Sequence, residues 1–98
     1  MTARDGESEM LKRCAAAARA LLPTAQDQKE ANVFRLAAMV VQSRFPDESK
    51  RLMQVSERYF MQHPCDKLAA VDVLRQGWVI SLPRLRDRLS VQLLGALF

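Results

Sequence analysis

Apolar residues recur at three- and four-residue intervals along nearly the whole chain, and prolines interrupt the pattern between segments, which is the signature of successive amphipathic helices. Met10, Leu11, Cys14, Ala18, Leu21 and Leu22 form the first stripe, reinforced by the alanine run from Ala15 to Ala18, and predict a helix over about Glu7–Leu22 that Pro23 stops. Thr24 with Asp27 three residues on resembles a capping box, so a second helix is expected over about Ala25–Arg44. Between Val33 and Val41 every residue but Arg35 is apolar. At about 100° per residue that covers nearly the full circumference, so this helix belongs at the centre with neighbours on at least two sides.

Phe45 and Pro46 break the pattern, with Asp47 or Ser49 as candidate caps for a third helix over about Asp47–Gln62. Leu52, Met53, Val55, Tyr59 and Phe60 make its apolar side, and Lys50, Arg51, Glu57 and Arg58 its polar side. His63 and Pro64 end it, since the residue before a proline is pushed out of helical geometry. Asp66 is a candidate cap for a fourth helix carrying Leu68, Val71, Leu74 and Trp78, with Gly77 at its end. Ser81 caps a fifth, with Pro83 in its first turn and Leu82, Leu85, Leu89, Leu93 and Leu97 along one line. No hairpin turn or sustained alternation is present apart from the short run Trp78–Ile80. The pattern predicts an all-α fold: a compact bundle of about five helices, mostly antiparallel neighbours, in a single domain over residues 9–98 behind a flexible polar tail of residues 1–8.

Composition adds limits. The 98 residues suffice for one core, and 49% apolar with 27% charged content describes a folding chain. The net charge of +4 lies wholly in the second half: residues 50–98 hold eight basic and four acidic groups, whereas residues 1–49 balance. An acidic protein or a phosphate backbone is the partner such a bias attracts. Cys14 falls in an apolar stripe and Cys65 in a loop, so both are expected as free thiols. With His63 they make three candidate ligands where a structural zinc site takes four, so no metal and no cofactor is expected. Residues Met1–Glu9 are acidic and carry no apolar run, and nothing approaches ~18 consecutive apolar residues, which points to a soluble cytoplasmic chain without a membrane span.

Catalytic constellations are not evident. Tyr59 and His63 are spaced to touch at the end of the third helix, the carboxylates sit at helix starts, and the three glycines are isolated. The stretch Leu68-Ala-Ala-Val-Asp-Val-Leu-Arg-Gln-Gly77, Trp78-Val-Ile and Ser81-Leu-Pro-Arg-Leu-Arg-Asp-Arg-Leu89 resembles the opening of a winged-helix or helix-turn-helix domain. That resemblance implies nucleic-acid binding, although the family reads the major groove with a further helix and only Ser90–Phe98 follow Leu89.

Two functions are therefore expected. The first is a non-catalytic helical interaction module, an adaptor, assembly factor or chaperone-like subunit, which binds a partner helix or self-associates through apolar surface. Its candidate residues are Leu93, Leu94, Leu97 and Phe98 in the apolar C-terminus, with Met53 and Phe60 as a second patch. The alternative is a small basic nucleic-acid-binding regulator, with Lys50, Arg51, Arg84 and Arg88 as its phosphate contacts.

Overall fold

The chain folds around the helix whose apolar residues cover its circumference. The computed structural model describes residues 3–95, with side chains from residue 6 onward. Its elements are α1 (Ala3–Ala18), α2 (Gln28–Val41), α3 (Pro46–Gln62), a turn of 3-10 helix at Pro64–Asp66, α4 (Ala70–Arg75) and α5 (Leu82–Leu94). The fold is all-α, with five helices packed together and no strand among the described residues. Central α2 packs against all four other helices, and its Val33, Phe34, Leu36, Ala37, Ala38 and Val41 are buried.

Small residues set the closest packing. The Ser49 hydroxyl donates to the Ala38 carbonyl at 2.6 Å, and the Ser56 hydroxyl donates to that of Ala31 at 2.8 Å. Both pairs are spaced by seven residues in opposite chain directions, so α2 and α3 form an antiparallel hairpin whose backbones come near enough for a serine to bridge them. Phe45 precedes α3 without a side-chain cap, and Pro46 opens the first turn, where its missing N–H costs nothing. Ser49, a candidate cap by sequence, is instead part of this seam.

Three helix ends differ from the pattern for identifiable reasons. α1 begins at Ala3, so residues 3–8, expected as a polar tail, are its first turns; Glu7 anchors them by ion pairs to α5. It ends at Ala18 because Ala20 adopts a left-handed conformation with φ 61°. The Leu21 N–H then bonds the Ala16 carbonyl at 2.9 Å and the Ala20 N–H that of Ala17 at 3.2 Å, a Schellman closure with alanine where glycine is usual. α2 starts only after Asp27, whose carboxylate accepts from the Glu30 N–H at 2.8 Å.

α4 is the shortest helix and starts at Ala70 rather than just after Asp66. Buried Asn32 donates to the Gln28 and Asp66 carbonyls at 3.0 and 2.9 Å, and accepts from the Leu68 N–H at 2.9 Å. Gln28 also donates to the Asp66 carbonyl, at 3.2 Å, and the Arg35 guanidinium donates to that of Leu68. The Asp66 and Leu68 backbone groups are thus bonded to one face of α2, and Lys67 is extended. The Asp66 carbonyl already accepts two bonds, which leaves it no lone pair for a first helical turn.

Ser81 caps α5 as its sequence predicts, accepting from the Arg84 N–H at 3.2 Å. Gly95 closes it at φ 38°, where a Cβ would lie 2.4 Å from the Gln92 carbonyl oxygen and 2.5 Å from the Arg19 guanidinium. That guanidinium donates to the Gln92 carbonyl, while near the other ends Glu7 meets Arg84. The first and last helices therefore lie side by side in parallel, although the hairpin they flank is antiparallel.

Candidate functional site

A concavity lies between α1 and α5 beside the turn that precedes α5. It encloses about 590 Å³. Met10 and Leu11 of α1, Val33 of α2, Val79 and Leu85 supply apolar lining, and Trp78 and Ile80 come from the connection between α4 and α5. Gly77, at φ 76°, turns the chain out of α4 and sends Trp78-Val-Ile across the opening. Alternation then divides the three: Val79 is buried, Trp78 half-buried and Ile80 64% exposed. An isoleucine that bare on a cleft wall is apolar area that a partner can cover.

Lys29, Arg84 and Arg88 give the same cleft a basic character. Glu7 is the acidic side chain among its lining residues, and its carboxylate oxygen lies 3.2 Å from the Arg84 Nε and 3.6 Å from the Arg88 guanidinium. Only about a fifth of the Glu7 side chain is exposed, against about half of each arginine. One face of the carboxylate is thus screened from water, and the arginines keep theirs.

Beside the cleft, α1 is locked to α2 by a two-pronged ion pair. The Arg13 Nε and a terminal nitrogen each donate to a Glu30 oxygen at 2.9 Å, and the Gln26 N–H adds a third bond to this buried carboxylate. The hydrogen bond to Glu30 holds the Arg13 guanidinium protonated above its usual range. Cys14, one residue on, is fully buried, and burial, helped by the Glu30 charge, pushes its thiol up to about 12. It is not a nucleophile at neutral pH, because the thiolate is the reactive form. Cys65 is exposed, and both cysteines are free.

The pair Tyr59 and His63 do meet. Their rings stack with centroids 4.4 Å apart, and the Tyr59 hydroxyl donates to the Asp66 carboxylate at 3.1 Å. Desolvation first, then the Asp66 hydrogen bond and charge, raise the Tyr59 pKa, which keeps the phenol a donor. The cluster clamps the end of α3 to the 3-10 turn. Among the described residues no three His, Cys, Asp or Glu side chains are grouped to hold a metal ion.

The residues singled out by sequence are not gathered into one place. Leu94 is 68% exposed, and Leu93 is half-buried against the core; Leu97 and Phe98 lie outside the described residues. Phe60 is buried, with the Lys67 ammonium 5.9 Å above its ring, and Met53 is half-buried against the core, so these two do not form a bare patch. The reason is the α2–α3 seam, which draws Leu52, Val55 and Phe60 inward. Among the basic residues, Arg84 and Arg88 line the cleft, whereas Lys50 and Arg51 do not. Arg51 donates instead to the free carbonyl of Ala18 at the end of α1.

The lining residues Met10, Val33, Trp78, Ile80 and Lys29 escaped the sequence reading because they come from three segments with no shared spacing. The one legible hint was the apolar run Trp78–Ile80 between two helix signals. No helix among the described residues is long and apolar enough to cross a membrane. The chain matches no protein-family model, no curated protein and no solved structure.

Proposed function

We propose that this chain is a non-catalytic protein-interaction module that receives a helix of a partner protein in the cleft between α1 and α5. The observation that carries the reading is the cleft itself: an apolar floor with exposed Ile80 and half-buried Trp78, rimmed by basic side chains. An amphipathic helix buries such a floor and leaves its polar side to the rim. Val91, 49% exposed, and Leu94 extend apolar area along the outer face of α5.

The nucleic-acid alternative draws less support, since its four basic residues are not gathered: Arg84 and Arg88 line the cleft, Lys50 and Arg51 do not, and Arg51 is spent on capping α1.

The test is capture from native lysate on the immobilised chain, followed by reconstitution with the purified partner and titration calorimetry. Ile80→Glu should weaken the reconstituted complex at least about tenfold while far-UV circular dichroism stays unchanged. Affinity indifferent to both Ile80→Glu and Met10→Glu would place docking elsewhere. A chain that remains a monomer and retains no partner would end the interaction reading.

A further inference from the structure

The cleft already holds a carboxylate delivered by a helix. Glu7, in the second turn of α1, sits between Arg84 and Arg88 on α5, at 3.2 and 3.6 Å. Even so, among the described residues the basic charge of the lining is not met, because Lys29, Arg84 and Arg88 face this one acidic residue.

Glu7 is also held on a weak piece of helix. Its neighbour Gly6 lies inside α1, and a Cβ added there would meet nothing within 4 Å. Neither close packing nor a left-handed backbone requires glycine at this position. What glycine does there is loosen the first turns of the helix relative to alanine. The ion pairs that tether those turns are half exposed on the arginine side, the kind of contact that exchanges readily with another anion.

Resting on the docking reading above, we propose that the partner is an acidic amphipathic helix, and that Glu7 is its built-in competitor. In the free chain Glu7 occupies the Arg84–Arg88 pair. On docking, a partner carboxylate takes its place while apolar side chains of the partner cover Ile80 and Trp78. The latch discriminates: neutral or basic helices gain the apolar contact but leave Glu7 on its arginines, so they bind more weakly than acidic ones.

The test is selection of a displayed library of helical peptides of about 16 residues on the full chain, followed by fluorescence-polarisation titration of the enriched peptides. Enriched peptides should pair apolar residues with Asp or Glu and lose at least about tenfold in affinity for the Arg84→Gln, Arg88→Gln double variant. Glu7→Gln should bind them about twofold tighter, and Gly6→Ala, which firms the latch without touching the arginines, about two- to fourfold more weakly. Circular dichroism and a thermal melt of each variant confirm folding. Peptides that depend on Ile80 and Trp78 yet ignore Arg84, Arg88 and Glu7 overturn the acidic-helix inference and leave the docking function standing. Enrichment of basic or neutral peptides also overturns it. No enrichment, or binding independent of Ile80, removes both.

Discussion

The α2–α3 hairpin and the α1–α5 flank are built from similar helices and held by opposite means. Along the hairpin, Ala31, Ala38, Leu52 and Ser56 are completely buried, and two serine hydroxyls bridge to the facing backbone at 2.6 and 2.8 Å. The flank has Leu11, Cys14 and Leu89 in the core, but at its open side the helices are joined by half-exposed charges around Glu7. Close packing responds steeply to a small change in volume, whereas a screened ion pair is worth at most about 1 kcal/mol. The hairpin therefore supplies the rigid frame and the flank the part that can yield. The proposed docking cleft lies where yielding is cheap.

The sharpest way to break this contrast is to add volume at the seam. Ser56→Leu should cost about 3 kcal/mol in urea denaturation, from overpacking and loss of the bond to Ala31; a loss below about 1 kcal/mol would mean the hairpin is loosely packed. Next comes Asn32→Ala, which strands the Leu68 N–H and leaves the Asp66 carbonyl to Gln28 alone. About 2 kcal/mol of destabilisation is expected, with faster amide hydrogen exchange at residues 66–68 than in the rest of the protein. Unchanged exchange there would show that the connection does not need its asparagine.

The stretch after α1 offers a change of opposite sign. Ala20 carries a left-handed backbone at φ 61°, so Ala20→Gly should stabilise the protein by about 0.5–1 kcal/mol and raise its melting temperature by a few degrees. The smallest effect is expected in the latch. Glu7→Gln should change stability by no more than about 0.5 kcal/mol in calorimetry, and less still in high salt. A loss above about 2 kcal/mol would make Glu7 a structural member of the flank, as rigidly required as the serines of the hairpin.

Several features were legible because they depend on neighbours in the chain. The Ser81 cap, the stop at Pro64, the burial of Cys14 and the central place of α2 all follow from local hydrogen bonding and helical periodicity. The fourth helix was placed too early because the competitor for its first turn, the Gln28, Asn32 and Arg35 face of α2, lies more than thirty residues upstream. Phe60 and Met53 read as surface candidates for a related reason: an apolar stripe reports which side of a helix is greasy, not what will cover it.

Helical class, helix number and the Ser81 cap were thus written in the order of residues, since a helix is closed by bonds four residues apart and its apolar face is set by a fixed turn angle. The parallel pairing of α1 with α5, the serine seam and the cleft containing Glu7, Ile80 and Arg84 were decided only in three dimensions. Each joins groups far apart in sequence, and whether they meet depends on how the intervening helices pack, for which no short-range period exists.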